Sequence, residues 1–229
     1  MKGSKVIAIL LALLVAVSLA GCGSGSNAPA ENDVSAPDAQ VSERNDADAA
    51  AQPSEGGKTL VIYFSRTGEQ YTVGVIEKGN TAIVAEKIAE KTGAELFEIV
   101  PADDHYPMTY SELTDVAKTE QNENARPAYK GELPELSGYD TIFIGAPVWW
   151  GDWPMILYTV FENNDFSGKK LVPFSTHEGS GLSGFDRKLA SACPDAEILT
   201  GEAFRGNDCQ NDRPGVEEKV SGWLAELGF

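Results

Sequence analysis

The chain has 229 residues, of which 42% are hydrophobic and 9% aromatic, and its formal net charge is −17 at pH 7. This composition excludes a wholly disordered protein, and the excess of acidic residues disfavours nucleic acid and anionic membrane surfaces as partners. From residue 57 onward 28 acidic residues outnumber 15 basic ones. Such a surface suits docking to a basic patch on another protein, and the alternative is that it serves only solubility.

Residues 1–21 are predicted to be a secretory signal peptide, because Lys2 and Lys5 precede an apolar run over 6–19 that is short for a membrane span. The run ends in Leu-Ala-Gly-Cys at 19–22, which resembles the bacterial lipobox. This resemblance implies that Cys22 carries a diacylglyceryl thioether and anchors an exported lipoprotein at the periplasmic or the extracellular face of a membrane. An uncleaved anchor helix with an incidental cysteine is the alternative.

Residues 22–57 are predicted to be a disordered tether, because small and polar residues dominate them and large apolar side chains are almost missing. A coil of about 35 residues spans roughly 30 to 35 Å root mean square. A domain held in this way can reach a partner in the membrane or swing away from it.

Residues 58–229 provide enough chain for one domain. Short β-branched and aromatic runs alternate there with helical patterns, which predicts an α/β fold whose parallel sheet is covered by helices on both faces. Five βα units fit a doubly wound, five-stranded sheet of order 2-1-3-4-5, with a ligand site beyond strands 1, 3 and 4. The predicted strands are 59–64, 95–100, 141–145, 170–175 and 197–203, and the predicted helices are 81–92, 110–124, 154–161, 184–192 and 214–227.

Strand 1 is followed by Ser-Arg-Thr-Gly at 65–68, but the first helix begins only after Gly-Asn-Thr at 79–81. Hydroxyls and backbone N–H groups at the start of a helix can hold a phosphate. The alternative is a simple turn followed by Asn80 as an ordinary helix N-cap. Residues 69–78 are interpreted as an insertion that covers a ligand or meets a partner. A P-loop is excluded, because its glycine and lysine pattern is missing near this strand.

Together the two pieces resemble the flavodoxin phosphate signature, a Thr-x-Thr-Gly-Asn-Thr type of loop, split open by about eleven residues. Residues 59–229 resemble a bacterial branch of the flavodoxin family that carries this split loop. The resemblance implies a flavodoxin-like fold with FMN as the cofactor. It also implies phosphate contacts from the side chains of Ser65, Thr67, Asn80 and Thr81 and from the backbone of Gly68 and Ala82.

Strand 3 leads into a loop over 145–154 that holds three of the four tryptophans. Exposed indoles at this end of a central strand suit a planar aromatic ligand, since stacking contributes about 0.5 to 1.5 kcal/mol beyond buried area. Trp153 is expected instead to be a hydrophobic cap. The peptide at Gly151 is expected to be able to flip when the flavin N5 gains a proton, because glycine tolerates both backbone conformations. The family resemblance places along the isoalloxazine the side chains of Trp149 and Trp150 and the main chain of Pro147, Val148 and Gly151.

Strand 4 ends in a loop over 175–184 in which small flexible residues, three of them glycines, surround one histidine. The loop resembles the one that contacts the pyrimidine side of FMN, which makes Thr176, His177, Gly179 and Ser183 candidate contacts. If His177 lies near the flavin N1, its proton stabilises the anionic reduced flavin, whereas Glu178 opposes this effect. An ordinary linker histidine is the alternative.

His105, beside Asp103 and Asp104, has neither the number nor the spacing of ligands of a metal site, so no metal is predicted and a solvated loop is expected. The stretch 112–123 is predicted to form the exposed face of the second helix. Cys193 and Cys209 are an even pair in an oxidising location and favour a disulfide, with two unpaired thiols as the alternative.

Two functions stay open. The first is an electron carrier between redox partners, which the tether and the acidic surface favour. The second is an FMN-dependent reductase that passes electrons from NAD(P)H or a protein donor to a quinone or another small acceptor, which His177 and the tryptophan loop favour. A second glycine-rich dinucleotide fingerprint is missing, which weakens the nicotinamide route. Binding of another ligand by the same fold is a third possibility.

Overall fold

The computed structural model describes residues 57–229. The predicted signal peptide at 1–21, almost all of the tether at 22–57 and the lipidation site Cys22 lie outside the described residues, so these remain predictions. Within the described part, no helix is long and apolar enough to cross a membrane.

Strands and helices alternate along the described chain, as the sequence predicts. A short 3-10 turn at Leu136–Gly138 precedes the third long strand. The elements are β1 (Lys58–Tyr63), β2 (Gly68–Gln70), β3 (Gly74–Ile76), α1 (Asn80–Thr92), β4 (Glu95–Glu98), α2 (Tyr110–Glu123), β5 (Tyr139–Pro147), α3 (Met155–Asn163), β6 (Lys170–His177), α4 (Phe185–Ala192), β7 (Glu197–Ile198), β8 (Glu202–Arg205), α5 (Gly206–Asn211) and α6 (Arg213–Leu227).

The central sheet is parallel, with the order β4-β1-β5-β6 followed by β7 and β8, which both pair with β6. Counting only strands of this sheet, the order is 2-1-3-4-5, so the predicted topology is confirmed. The carboxyl ends of β1 and β5 are in register where Tyr63 lies opposite Gly145. The order of the sheet reverses between β1 and β5, which places the predicted ligand site at this edge.

The fifth strand, predicted as one run over 197–203, consists of two short pieces. Strand β7 pairs with Lys170 and Leu171, and β8 pairs with β6 from Phe174 onward. Pro173 lies between these two ladders, and because proline has no N–H it cannot donate to a neighbouring strand. The interruption therefore originates in β6 and not in the strand that it divides.

Besides the short 3-10 turn, a hairpin and a helix were not predicted. The insertion contains a small antiparallel hairpin, β2–β3, in which Gly68 pairs with Ile76. The short helix α5 follows β8 directly, and its six residues are too few to show a helical period.

The core has two halves, because successive side chains of a strand point to opposite faces of the sheet. Leu60 and Ile62 belong to one buried cluster, together with side chains from α2, α3 and α4. Val61 belongs to the other cluster, together with side chains from α1 and α6. Helices thus cover both faces, as predicted.

The predicted disulfide between Cys193 and Cys209 is wrong. Both are free thiols, and they belong to different core clusters, Cys193 at the end of α4 and Cys209 in α5. The sheet separates them, so their sulfur atoms cannot meet without unfolding. Burial raises the pKa of Cys193 to about 11 and that of Cys209 to about 12, so both remain protonated at neutral pH.

Candidate cofactor-binding site

A cavity of about 460 Å³ opens beside the ends of β5 and β6 and the start of α1. This volume falls within the usual range for small-molecule and cofactor sites, about 300 to 1,000 Å³. Its walls come from six parts of the chain and consist of Gln70, Tyr71, Asn80, Tyr110, Leu113, Thr114, Ala117, Pro147, Val148, Trp149, Trp150, Thr176, His177, Glu178, Ser180 and Gly206.

About half of the predicted site residues line this cavity. Those in its wall are Asn80, Pro147, Val148, Trp149, Trp150, Thr176 and His177. The cavity wall does not include Ser65, Thr67, Gly68, Thr81, Ala82, Gly151, Gly179 or Ser183. Most of this second group belongs to the split loop or to the turns that support the wall.

The two pieces of the split loop close against each other. A Cβ atom on Gly79 would lie 2.1 Å from Ser65 Oγ and 2.7 Å from Arg66 O, so only glycine fits at this point. Ser65 Oγ accepts a hydrogen bond from Ala82 N–H at 3.0 Å. The insertion therefore leaves and re-enters the loop at neighbouring points, and Ser65 lies against the start of α1.

The start of α1 is suited to an anion. Gly79 occupies the N-cap position and provides no side-chain cap. The N–H groups of Asn80 and Thr81 have no acceptor within residues 57–229, whereas the next two amides bond to Ser65 Oγ and to Gly79 O. Free N–H groups and the helix dipole favour a phosphate at such a terminus.

Arg66 adds a buried positive charge to this loop, which sequence reasoning missed as a site residue. Its side chain is 8% exposed, and its terminal nitrogens donate to Asp104 Oδ1 at 2.9 Å and to Tyr106 O at 2.6 Å. Its Nε–H is buried without an acceptor in the described chain. A buried unpaired donor is costly, which makes a bound anion favourable nearby.

Thr81 and Gly68 have mainly structural contacts. Thr81 is buried, and its Oγ1 is 2.8 Å from Oγ1 of Thr176, which ties α1 to the end of β6. Gly68 has a φ of +85°, and a Cβ there would lie 2.7 Å from Met108 O. It is therefore the residue that lets the chain turn into the β2–β3 hairpin.

The tryptophan loop is a tight turn. Trp149 and Asp152 exchange two backbone hydrogen bonds of 2.9 Å each, and Trp150 and Gly151 between them have φ values of +51° and +73°. Two positive φ values identify a type I′ turn. Trp150 is 54% exposed and its Nε1 donates to Thr114 O at 2.9 Å, so the indole lies along α2.

The other tryptophans of the loop pack inward. Trp149 meets Phe64 and Tyr106 edge-on, with ring centroids 5.4 and 5.2 Å apart. Trp153 is buried and stacks on Phe185 at 3.6 Å, so the expected hydrophobic cap is correct. Only Trp149 and Trp150 reach the cavity.

Sequence reasoning missed an aromatic pair on the other elements of the wall. Tyr71 of the insertion stacks on Tyr110 of α2 with ring centroids 5.4 Å apart. Leu113 and Ala117, one turn apart on α2, continue this wall. Their i, i+4 spacing was a detectable signal, but it does not distinguish a helix face that meets a ligand from one that meets the core.

His177 lies in the wall as an uncharged ring. Its Nδ1 accepts a hydrogen bond from Gly179 N–H at 2.8 Å, which assigns the proton of the neutral ring to Nε2. Burial lowers the pKa of His177, and the positive charges of Lys219 and Arg205 lower it further against the opposing effect of Glu178. The predicted stabilisation by a charged His177 is thus disfavoured at neutral pH, whereas hydrogen-bond donation from Nε2 is available.

His105 lies in an exposed loop, as expected, but its ring also has a specific partner. Its Nε2 is 2.7 Å from Oε1 of Glu120, and Tyr106 OH donates to Glu120 Oε2 at 3.1 Å. Glu120 is 6% exposed, so the stretch 112–123 is not wholly an exposed face, because one of its carboxylates closes over this loop. Within residues 57–229 there is no group of three metal-ligating side chains.

Comparison with known proteins agrees with this geometry. A family model described as flavodoxin matches residues 58–219. Two crystal structures provisionally named flavoproteins are similar: one from Bacteroides eggerthii (29% identity, 76% of this chain and 99% of that chain, TM-score 0.60) and one from Bacteroides uniformis (32%, 73% and 99%, TM-score 0.58). A Lactobacillus acidophilus flavoprotein in complex with FMN shares the fold at 22% identity, over 69% of this chain and 98% of that one, with a TM-score of 0.53. No curated protein sequence matches. The family match confirms the predicted flavodoxin family and, with it, FMN as the cofactor. The similar structures confirm the predicted fold.

Proposed function

The chain belongs to the flavodoxin family, and we propose that it is an FMN-dependent electron carrier held at a membrane surface by a lipid on Cys22. One observation carries the proposal: the free amides at the start of α1, the hydroxyl of Ser65 and the aromatic wall all meet at one edge of the sheet.

FMN supplies one- and two-electron redox chemistry when bound. The amides of Asn80 and Thr81 would bind its phosphate, with Ser65 and Arg66 beside them. Trp149 and the exposed Trp150 would contact the planar ring and exclude water from it. The protein side of the site would thus supply an anion cradle, an aromatic wall and a neutral hydrogen-bond donor at His177 Nε2.

The partner in the carrier role is a redox protein with a basic surface. The described residues carry 28 acidic and 15 basic side chains, and opposite charges speed the encounter of two proteins. A tether of about 35 residues lets the domain reach a membrane-bound partner. We place the protein outside the cytoplasm as an anchored lipoprotein, on the basis of the sequence at 1–22.

A second function is a reductase of quinones or other small acceptors. It is favoured by the stacked pair of Tyr71 and Tyr110, which adds aromatic wall beyond the two tryptophans. Planar acceptors such as quinones can stack on aromatic side chains of this kind. The electron donor would be NAD(P)H or a reduced protein.

Binding tests the cofactor site. The protein should bind FMN at least tenfold more tightly than riboflavin, because only FMN carries the phosphate, and each tenfold corresponds to about 1.4 kcal/mol. Asn80→Pro removes one of these backbone N–H groups at the first position of α1, where proline is tolerated, and should weaken both FMN binding and this preference. Equal affinity for the two flavins would show that the phosphate lies elsewhere.

Reductive titration separates the two functions. Accumulation of a one-electron-reduced flavin, with negligible turnover of nicotinamide and quinone, supports the carrier. Direct two-electron reduction with rapid quinone turnover supports the reductase and contradicts the carrier.

Independently, Cys22→Ser should move the protein from the membrane fraction to the soluble fraction, and an unchanged distribution would contradict the lipid anchor.

A further inference from the structure

Lys188 of α4 joins the two loops that flank the predicted flavin ring. Its ammonium donates to the carbonyl of Gly151 in the tryptophan loop (145–154). It also donates to the carbonyl of Ser183, 3.2 Å away, in the loop over 175–184 that contains His177 and is called the histidine loop below. It also forms an ion pair with Asp152 Oδ1 at 3.2 Å. A lysine ammonium has three N–H donors, and three acceptors surround this one.

Asp152 fixes the position of this ammonium. Its Oδ1 also accepts hydrogen bonds from Tyr158 OH at 2.9 Å and from the backbone of Trp153 at 2.8 Å. The carboxylate is thus held by α3 and by its own loop, and Lys188 is held by α4. The ammonium bridges two loops from two fixed points.

Both loops have a backbone that needs external support. Trp150 and Ser183 have φ values of +51° and +52°, in the left-handed region that residues other than glycine rarely adopt. Such conformations persist only where surrounding contacts maintain them. Lys188 bonds to the carbonyl of Ser183 and to the carbonyl of Gly151, which directly follows Trp150.

The bond to Gly151 has a consequence for flavin reduction. One-electron reduction of bound FMN with uptake of a proton from solvent would convert N5 from a hydrogen-bond acceptor to an N–H donor. The family resemblance places the main chain of Gly151 along the isoalloxazine, and its carbonyl would stabilise that form only if the peptide turned toward N5. Lys188 holds the carbonyl in its present orientation, so such a rotation would break a charge-assisted hydrogen bond.

We propose that Lys188 is a positioning residue that holds the Gly151 peptide in the orientation suited to the oxidised flavin and so opposes the first one-electron reduction. This inference rests on the proposed binding of FMN. It assigns the balance between one-electron and two-electron chemistry to a side chain outside the cavity wall.

The test uses Lys188→Met, which keeps the aliphatic stem and removes the ammonium. In reductive titrations of the FMN-loaded full chain, the formation constant of the one-electron-reduced flavin should rise about tenfold, the equivalent of one charge-assisted hydrogen bond. In the flavin-free protein, hydrogen exchange at the amide of Asp152 should become faster, because the turn loses its support.

Two variants control this experiment. Lys188→Arg keeps a charged donor and should restore the wild-type titration. Lys87→Met removes the same charge from an ion pair with Glu90 on α1, away from both loops, and should leave the formation constant unchanged. If Lys188→Met does not fold, Lys188→Gln replaces it.

The outcomes are distinct. A folded Lys188→Met protein that binds FMN and titrates like the wild type would overturn the inference while leaving the proposed function intact. The same holds if Lys87→Met has an equal effect, since the effect would then be one of net charge. A wild-type protein that binds no FMN would overturn the proposed function and, with it, this inference.

Discussion

Replacement of Gly79 by alanine should separate the two pieces of the phosphate loop. Gly79 has a φ of −65°, which alanine adopts freely, so any effect of the substitution comes from its Cβ. That atom would lie 2.1 Å from Ser65 Oγ and 2.7 Å from Arg66 O. Relief of these contacts requires the loop to move by about an ångström, which also breaks the bond from Ala82 N–H to Ser65 Oγ.

The magnitude follows from these contacts. Overpacking of a close-packed site costs about 1 to 3 kcal/mol, and the lost hydrogen bond adds about 0.5 to 1.5 kcal/mol. The free energy of unfolding should therefore fall by about 2 to 4 kcal/mol. At about 2 to 4 °C per kcal/mol for a domain of this size, the melting temperature should fall by roughly 5 to 15 °C.

Urea unfolding and FMN titration measure the two effects. FMN affinity of Gly79→Ala should fall at least tenfold, and riboflavin affinity should change much less, because the damage is at the phosphate. In the double variant with Ser65→Ala, the closest clash disappears while Arg66 O remains. The cost of the pair should therefore be lower than the sum of the single costs by about 1 kcal/mol.

Gly222→Ala is the matched control. Gly222 lies within α6, and a Cβ there would meet no atom within 4 Å. The substitution should stabilise the protein by about 0.5 to 1 kcal/mol, as for any helix glycine. If Gly79→Ala bound FMN normally and were as stable as this control, the closure of the loop on Ser65 would be wrong.

Three further outcomes are expected. Burial alone would lower the pKa of His105, but hydrogen bonds to Glu120 and to Asp103 O outweigh it and raise the pKa above its ordinary value of 6.5. The stabilisation of the fold by protonated His105 and Glu120 is then fully present below pH 6.5 and is lost as the pH rises through the higher folded pKa. In urea unfolding, His105→Gln should therefore lower the free energy of unfolding by less than about 1 kcal/mol, and mainly at acidic pH. In a Cys22→Ser protein the remaining cysteines are Cys193 and Cys209. Titration with a thiol reagent should detect neither in the folded protein and both after unfolding without reductant, whereas a disulfide between them would leave no free thiol in the unfolded protein. Tyr71→Ala should lower FMN affinity severalfold, by about 1 kcal/mol of lost stacking, with a smaller change in stability, and an unchanged affinity would show that the insertion does not cover the flavin.

The order of the sheet could be read from the sequence because each buried parallel strand is a continuous apolar run. The division of the fifth strand could not, since its cause is Pro173 on a neighbouring strand. The disulfide prediction failed for a similar reason. Spacing along the chain does not reveal that α4 and α5 lie on opposite faces of the sheet, and this alone keeps Cys193 from Cys209.

The split loop was predictable from its chemistry, because hydroxyls, glycine and a delayed helix start were visible at 65–68 and 79–81, and its contact with a phosphate stays a prediction. Its closure was not, since the contact between Ser65 and Gly79 depends on the insertion folding as a hairpin. The wall formed by Tyr71 and Tyr110 was missed because helical periodicity shows that a face is apolar but not what covers it.

The hairpin also makes this chain adaptable over evolution and useful in the laboratory. Its ends lie together, where Gly68 pairs with Ile76, and Gly74, which directly follows the turn at its tip, has a φ of +92° with no neighbouring atom near a Cβ position. Lengthening a loop whose ends already meet costs only about 0.6 kcal/mol for each doubling. The segment can therefore be lengthened without moving Ser65 or Gly79, which close the loop. A fluorophore or affinity tag inserted at Gly74 would report on docking from the rim of the site.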